Sequence, residues 1–523
     1  MEDLRITSTG LPFLDSLLGG GFLSNSIIII SHQAAINYWQ LVHRIIFNSF
    51  DQRFYLILVT FHLSLQEYLD RVKYSMYSPE ITKEIREIIS TGGFSVIDCF
   101  NISNSEEDSK IGDVHYVSNP FNVDNLLSVM SKVRESIPSD KWVRWAFYNL
   151  TNMSIGVPED ELVKFCRRAF RYHKQHGDLA IYLLNEKAHT DMFFAKMYQL
   201  SDVFIKLIAE ETSTGIESGI QVIKGVFPFQ SKKPFFDINE NGEIQFKDKK
   251  LELDSQMQTK CFSSVRFLER IKENEEYWKL FRTGINKLDS LLGGGMLSNS
   301  IILASFQYGI RTLDPLYSIF QNKFNDKTHV IQINYHFSAQ EYETSSKFLE
   351  QETGIHKAPM KSLSYGNTSI IDCFNIPQSE EDTQKNNVYH LSNPFDMDKL
   401  LSVMTRVRSE VPPDKSVFWI FYSLTDMSIG ISEDELLKFC RRAFRYHKWC
   451  GDLALYTLRE QAHSERFHAK LYQLSDVFLK FIGEDKPEGI DTRIQILKSP
   501  LYYDSTRTKY VLDKKIQMQF VED

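Results

Sequence analysis

Two histidines stand where a side chain could do chemistry. His62 and His336 each follow an apolar, strand-like run, in the segments FHLSLQEY and YHFSAQEY. Histidine titrates near neutral pH, so a proton switch is one interpretation. A metal site would need more ligands than one histidine and the nearby Glu67 or Glu341 supply. We therefore interpret both histidines as polar residues at strand ends, and we expect no metal site.

Runs of three glycines form a second candidate. They occur twice, at Gly19–Gly21 and Gly293–Gly295, and glycine readily adopts the backbone angles of a phosphate-binding loop. In each case the glycines precede an apolar run typical of a buried strand, SIIIIS in the first case. A phosphate-binding loop follows its strand instead. We therefore interpret both runs as structural turns.

The third candidate is a basic segment, FCRRAFRYHK, which begins at Phe165 and recurs unchanged at Phe439. Its spacing predicts a helix with an apolar side toward the core and basic side chains outward. Acidic residues at the helix start and basic ones at its end also complement the helix dipole, which requires no partner. The alternative is a protein-interaction face, whose members would be Lys164, Arg167, Arg168, Arg171, Lys174, Arg441, Arg442, Arg445 and Lys448.

The elements that must position these residues occur twice. TGLPFLDSLLGGG at Thr9 matches TGINKLDSLLGGG at Thr283, and the same offset of 274 residues pairs VIDCFNI with IIDCFNI and YQLSDVF with itself, without a gap. We expect one fold for both copies. The predicted domains are residues 1–249 and 277–523. Residues 250–276 carry apolar residues at helical spacing among charges and are predicted to form a helical connector.

Within each copy, apolar strand-like runs alternate with segments of helical periodicity. SIIIIS, FYLILVTF, FSVIDCF and LAIYLLNE are typical of strands buried on both faces, and DNLLSVMSKVRES is typical of a helix. The alternation predicts an α/β fold with a mainly parallel sheet flanked by helices. Near the end of the first copy, the turn signal Glu240-Asn241-Gly242 predicts an antiparallel hairpin at the sheet edge.

Composition excludes several classes of protein. The chain has 523 residues, 42% of them hydrophobic, and a net charge of -8, which disfavours a general affinity for nucleic acid. No apolar run is long enough to span a membrane and the N-terminus does not resemble a signal peptide, so a cytoplasmic protein is expected. The 6 cysteines form no CxxC pair, which favours buried thiols over a disulfide framework or zinc cluster.

The order of these motifs resembles one known family. TG-x3-LD-x-LLGGG, an apolar strand, QEY after a second strand, IDCF at a third and a late LSD strand are similar to the KaiC-like branch of the RecA superfamily of P-loop ATPases. The resemblance covers nearly all of both copies. It implies two tandem RecA-like domains of the P-loop NTPase type, which in this family generally assemble into rings.

The phosphate-binding loop departs from that family. Where the family has GxxGxGK[ST], this chain has HQAAINYW in the first copy and FQYGIRTL in the second. Tyr38 stands at the lysine position and Trp39 at the Ser/Thr position, and Thr312 and Leu313 stand there in the second copy. The loop has therefore lost its charge and its glycines.

Two residues of the second copy keep part of the loop chemistry. Gly309 is its one surviving glycine, and Arg311 would reach the lysine position if the alignment were shifted by one residue. We interpret Arg311 as a solvated loop arginine, because the magnesium ligands are also missing. Both residues stay weak candidates for nucleotide binding, which we expect to be weaker in the first copy.

The two remaining catalytic elements of the family are also replaced. The family's paired glutamates are matched by His62-Leu63 and His336-Phe337, and its magnesium-linked aspartate is matched by Tyr148 and Tyr422. Phosphoryl transfer depends on positioning and electrostatic stabilisation by such groups. The sequence therefore predicts no ATPase activity and no ATP or Mg²⁺ cofactor.

These observations leave three hypotheses for function. The first is a catalytically inactive scaffold or regulatory partner that binds a protein, either its own copies or an active KaiC-like relative. The second is a module that binds a nucleotide or another anion weakly, without hydrolysis. The third, a recombinase-like DNA-binding protein, is disfavoured by the acidic charge balance.

Overall fold

The computed structural model describes two compact units, Met1–Lys272 and Glu273–Asp523, here called unit 1 and unit 2. The described residues are 5–33, 36, 38–47, 54–61, 63–64, 67–68, 93–101, 109–111, 113–212, 216–238, 244–246, 280–307, 310, 312–320, 327–336, 338–339, 367–375, 383–385, 387–486, 489–501, 503–513 and 516–521. The predicted connector lies outside them, and so do His62, Glu341, Phe337, Gly309, Arg311 and the turn 240–242. The predicted domain boundaries stay a prediction.

Unit 1 alternates strands and helices along the chain. Its described strands are β1 (Ile6–Thr7), β2 (Phe22–Leu23), β3 (Ile27–His32), β4 (Phe54–Thr60), β5 (Phe94–Asp98), β6 (Ser109–Ile111), β7 (Val114–Tyr116), β8 (Trp142–Tyr148), β9 (Leu179–Asn185), β10 (Val203–Glu211), β11 (Ile216–Lys224), β12 (Phe235–Ile238) and β13 (Ile244–Phe246). Its described helices are α1 (Pro12–Leu18), α2 (Trp39–Phe47), α3 (Val123–Glu135), α4 (Glu159–Gln175) and α5 (Asp191–Leu200), with 3₁₀ turns at Leu150–Ile155 and Glu186–Ala188.

Unit 2 has the corresponding elements. Its described strands are β14 (Leu280–Phe281), β15 (Met296–Leu297), β16 (Ile301–Phe306), β17 (Thr328–Asn334), β18 (Thr368–Asp372), β19 (Thr383–Lys385), β20 (Val388–His390), β21 (Ser416–Tyr422), β22 (Leu453–Arg459), β23 (Val477–Lys486), β24 (Gly489–Lys498), β25 (Thr508–Leu512) and β26 (Met518–Phe520). Its described helices are α6 (Asn286–Leu291), α7 (Leu313–Phe320), α8 (Met397–Ser409), α9 (Leu424–Met427), α10 (Glu433–Cys450) and α11 (Glu465–Leu474), with a 3₁₀ turn at Glu460–Ala462.

Each unit is built on one 11-stranded sheet of described strands. In unit 1 the strand order is β13-β12-β11-β10-β3-β9-β8-β4-β5-β7-β6, parallel from β10 to β7 and antiparallel at both edges. Unit 2 repeats this order strand for strand. The predicted α/β class and the predicted common fold of the two copies are confirmed. The antiparallel pairing of β12 with β13 also confirms the predicted edge hairpin.

The isoleucine run explains why the central strand is buried on both faces. In β3, Ile28 and Ile30 pack into the cluster that contains the buried residues of α1 and α2. Ile27 and Ile29 point to the opposite face and join the cluster built with α3, α4 and α5. Successive side chains of a strand alternate between faces, so a continuous apolar run suits a sheet covered by helices on both sides.

The run of three glycines is a structural turn, as predicted. A Cβ atom added to Gly21, whose φ is +128°, would lie 2.4 Å from the carbonyl oxygen of Thr7. Gly295 in unit 2, with φ +139°, would meet the carbonyl oxygen of Phe281 at the same 2.4 Å. Only glycine allows the backbones to approach this closely while holding a positive φ. The turn therefore fixes the route of the chain into β3 and β16.

The predictions about membrane spans and cysteines can be compared with the described residues. Within the described residues, no helix is both long enough and apolar enough to cross a membrane. Cys99, Cys166, Cys373 and Cys440 are buried free thiols, as predicted, whereas Cys450 is half-buried. Burial raises the pKa of the Cys166 and Cys440 thiols far above the ordinary value, so neither is a reactive thiolate at neutral pH.

Candidate functional site

The residues predicted to replace the phosphate-binding loop lie at the carboxyl ends of parallel strands. In unit 1, β3 ends at His32, and α2 begins at Trp39. Tyr148 is the last residue of β8, and β9 lies between β8 and β3 in the sheet. Ligands of open α/β sheets bind at this edge. The fold therefore identifies where a ligand would bind. Whether a ligand can bind there depends on the side chains at this edge.

In unit 1 this place is filled by an aromatic cluster, formed by His32, Tyr38, Trp39, His43 and Tyr148. The Tyr38 ring stacks on His32, with ring centroids 4.0 Å apart, and on Trp39 at 5.5 Å. Trp39 in turn stacks on Tyr148 at 5.2 Å. Tyr38 is only 3% exposed. Tyr38, Trp39 and Tyr148, which the sequence predicts to replace the lysine, the hydroxyl residue and the metal-linked aspartate, thus join in one stack of rings.

The electrostatics of the aromatic cluster do not suit a phosphate. Burial lowers the pKa of His43 well below its ordinary value, so this imidazole stays neutral. Its Nε2 lies 3.4 Å from the hydroxyl of Tyr68, another buried ring. Tyrosine and tryptophan carry no charge at neutral pH. The site therefore offers packing surface where a nucleotide needs a cation.

Unit 2 has a cavity of about 310 Å³ at the equivalent place. Thr312 stands where unit 1 has Tyr38, so no ring fills the space from that position. The described residues that line the cavity are Thr312, Asp314, His336, Tyr422, Ser423, Thr425, Asp426, Thr457, Leu458 and Arg459. The two copies share a fold but differ here: one site is packed with rings and the other is open.

The charges of this lining are specific to unit 2. Asp314, Asp426 and Arg459 stand at the positions of Gln40, Asn152 and Asn185 in unit 1. Asp426 contacts His336, with 3.1 Å between its Oδ2 and the ring Nδ1. Arg459 donates from Nη1 to the carbonyl oxygens of Gln307, at 3.2 Å, and Ile310, at 2.8 Å. Asp314, Asp426 and Arg459 were not predicted as site residues from the sequence, although the offset of 274 residues makes these substitutions visible.

A threonine, a histidine and a glutamate form the same network in both units. In unit 2, Thr425 Oγ1 lies 2.9 Å from His463 Nε2, and His463 Nδ1 lies 3.3 Å from Glu433 Oε1. In unit 1 the hydroxyl of Thr151 lies 3.0 Å from His189 Nε2, and Glu159 lies 3.2 Å from its Nδ1. A hydroxyl, a base and a carboxylate that orients the base are the parts of a nucleophilic site.

The repetition of this network favours a structural role. Thr151 is fully buried, and its hydroxyl also accepts the backbone N–H of Asn185 at 2.9 Å. Burial raises the pKa of Glu159, but hydrogen bonds from His189 and Thr190 outweigh that effect and bring the pKa down to about 2. The ionised Glu159 fixes the orientation of the His189 ring, and the His189 ring fixes the hydroxyl of Thr151. The network thereby joins the end of β9 to the start of α4.

The predicted interaction face of unit 1 is exposed on α4. Arg167 and Arg171 are exposed, and neither is paired with another described residue. The other three members form ion pairs: Lys164 with Glu161, Arg168 with Asp124 and Lys174 with Asp202, each at 2.6 Å. Exposed pairs of this kind contribute little to stability.

The equivalent residues of unit 2 are less exposed. The Lys448 side chain is 6% exposed and lies 3.0 Å from Asp476, so Lys448 does not lie on an open face. Arg442 is exposed and pairs with Asp398. Arg441 and Arg445 are half-buried. The predicted outward, solvent-exposed arrangement of these basic residues is therefore more complete in unit 1 than in unit 2.

The inner side of the same helix explains part of its repetition. His173 Nε2 lies 2.8 Å from the hydroxyl of Tyr182, and its ring centroid lies 4.8 Å from that of Trp145. In unit 2, His447 makes the same contact with Tyr456 at 2.7 Å. These residues and the buried apolar stripe fix the inward positions of FCRRAFRYHK. This inner packing does not explain the exposed Arg167 and Arg171 of unit 1.

Comparison with known proteins adds no family to this description. No family model matches the chain, and no curated protein matches it either.

Proposed function

We propose that this chain is a catalytically inactive, KaiC-like pseudo-ATPase that acts as a scaffold or regulatory partner of another protein. The resemblance of its motif order to that family motivates the proposal, and the tandem α/β units are compatible with it. The observation that carries the lack of activity is the stack of Tyr38, Trp39 and Tyr148. All three positions that should hold phosphate or metal are rings in contact with one another.

Unit 2 supports the same conclusion by different means. Thr312 and Tyr422 stand at the lysine and metal-linked aspartate positions. Its cavity has no lysine in the described lining, and its arginine is already bound to backbone carbonyl groups. Losing one positioning group of a phosphoryl-transfer site commonly costs orders of magnitude in rate. We therefore propose no hydrolysis in either unit.

The proposed partner is a protein with an acidic surface, recognised in the cytoplasm by the exposed side of α4. Arg167 and Arg171 are available there for charge-assisted hydrogen bonds to carboxylates. A second copy of the chain, whose net charge is -8, and an active relative are the two candidate partners. We do not propose a nucleic acid as the partner, because the net charge of the chain is -8.

Two measurements test the proposal. Purified full-length chain with Mg-ATP should release phosphate at the background rate; turnover that survives repurification and disappears on unfolding contradicts the inactive state. Recovery of partners from native extract should be lost in the variant Arg167→Glu/Arg171→Glu, with unchanged melting. A matched control reverses Lys132 and Lys232, two exposed lysines elsewhere in unit 1. Equal recovery of partners by the unaltered chain, the arginine variant and the control would indicate that the outer side of α4 is only a solvated face and binds no partner.

A further inference from the structure

The cavity of unit 2 is a difference in chemistry between two copies of one fold. Its walls come from the start of α7, from His336 after β17, and from the carboxyl ends of β21 and β22. A volume of about 310 Å³ is in the range of small-ligand sites. The cavity also combines ionisable side chains with hydroxyl groups, which are the groups that orient a small polar ligand.

The charges of the cavity favour a cation. Asp314 and Asp426 contribute two carboxylates to the described lining, Arg459 contributes one guanidinium, and His336, whose Nδ1 lies 3.1 Å from Asp426, contributes one imidazole. The Nη1 of that guanidinium is engaged by two backbone carbonyl oxygens, so part of its donor capacity is already used. A phosphate brought here would meet two like charges, whereas an ammonium group would meet two acceptors.

A buried polar side chain lies beside the cavity. Asn334, the last residue of β17, is fully buried, and neither its Oδ1 nor its Nδ2 has a hydrogen-bond partner among the described residues. Asn334 pairs in register with Tyr422, which lines the cavity. Buried amides in proteins are normally hydrogen-bonded. Asn334 is absent from the described lining, so an occupant is bound by the residues that line the cavity and not by this amide.

We infer that the unit 2 cavity binds a small organic cation, a protonated amine that also carries hydroxyl or amine donors. The carboxylates of Asp314 and Asp426 accept from its ammonium group, and the hydroxyl of Thr312 binds one of its remaining polar atoms. Unit 1 does not bind this ligand, because its equivalent carboxylate positions are amides and its site is filled with rings. The inference goes beyond the proposed scaffold role and does not depend on it.

Unit 1 supplies the variants that test this site. Asp314→Gln and Asp426→Asn give unit 2 the residues that unit 1 already has at these positions. A matched control, Asp414→Asn/Asp434→Asn, removes the same two charges from exposed positions of unit 2 outside the lining. Because one substitution could impair folding, the two single variants are measured beside the double variant, each checked by its melting curve.

The experiment is calorimetric titration of the full chain with putrescine, ethanolamine, magnesium chloride, inorganic phosphate and Mg-ATP. One of the two amines should bind once per chain, and each single variant should weaken it about tenfold, since a charge-assisted hydrogen bond is lost. The control should bind as the unaltered chain does. Absence of amine binding, equal binding by the double variant, or tighter binding of magnesium, phosphate or Mg-ATP would overturn the inference. ATP hydrolysis, measured separately, reports on the proposed function alone.

Discussion

Acid should destabilise this protein through two buried histidines that repeat in the two units. His173 and His447 are fully buried, and each lies within hydrogen-bonding distance of a tyrosine hydroxyl. Burial, with smaller effects from neighbouring positive groups, lowers the pKa of both from the ordinary value of 6.5 to about 3. The folded chain therefore holds them neutral at any pH at which it is normally handled.

The sign and size of the effect follow from the difference in pKa. The unfolded chain binds protons at these histidines below about pH 6.5, and the folded chain does not. Their stabilising contribution is thus complete above pH 6.5 and is lost as the pH falls toward 3. At pH 5 the loss is about 1.5 pH units at about 1.4 kcal/mol per unit, or about 2 kcal/mol for each histidine.

The assay is urea unfolding of the full chain at pH 7 and pH 5, with the free energy summed over its transitions. His173→Gln removes one titrating group, so the loss of stability between the two pH values should be about 2 kcal/mol smaller than in the unaltered chain. Asp98, whose pKa burial raises to about 6, acts in the opposite direction but is the same in both proteins. His176→Gln, at an exposed position three residues away, is the control; its charge is only a minor cause of the lowered pKa of His173, so the loss should stay close to that of the unaltered chain. An equal loss in the His173 variant and the unaltered chain refutes the reasoning.

Four further substitutions test local packing, each measured by urea unfolding at pH 7. Gly21→Ala should lower the free energy of unfolding by more than about 2 kcal/mol. Gly451→Ala should lower it by only about 1 kcal/mol, because φ is also positive there but no atom lies within 4 Å of the added carbon. Equal losses of stability in the two variants would contradict the steric argument. Trp145→Phe should cost about 1–3 kcal/mol, because it removes the N–H that binds the buried Asp178 at 2.9 Å. Thr151→Val should lower the free energy of unfolding by a similar amount, since it leaves a buried histidine and a backbone N–H without their shared hydroxyl. An unchanged free energy of unfolding would show that the network does not stabilise the fold.

Much of the fold could be predicted from the sequence because the signals were repeated and local. The offset of 274 residues required one fold for both copies, and the continuous apolar run at Ile27–His32 indicated a strand buried on both faces. The outward direction of Arg167 followed from helical spacing, and α4 bears it out. In each case the pattern lies within one element, so no knowledge of distant contacts was needed.

The state of the two candidate sites could not be predicted in the same way. The loop sequence showed that lysine and glycine are missing, but not that Tyr38 stacks on His32 and Trp39, because that depends on which rings from distant segments meet. The cavity of unit 2 likewise depends on Asp314 and Asp426, which lie far apart in the chain. The burial of Lys448 was missed for the same reason.

The retained motifs can be explained by the backbone groups that they satisfy. The aspartate of TG-x3-LD, Asp15, accepts the N–H of Thr9 at 2.7 Å, and its equivalent in unit 2 makes the same bond at 2.8 Å. The aspartate of LSD, Asp202, accepts the N–H of Ile27 at 2.8 Å. Asp98, in IDCF, accepts from the N–H groups of the two residues that follow Cys99.

None of these bonds involves the loop that would hold a nucleotide. These motifs therefore have a structural reason to recur in both units, since Asp15 and Asp202 satisfy backbone groups that would otherwise be buried without partners. In the described part of the loop, Gln33 also satisfies a backbone group, the N–H of Ala209, and Gln307 does the same for Gly483. The two copies diverge at the loop positions after these glutamines, into the ring stack of Tyr38 in unit 1 and the cavity beside Thr312 in unit 2. A function for this chain is thus to be sought where its two copies differ, and on surfaces such as the outer side of α4 that packing does not explain.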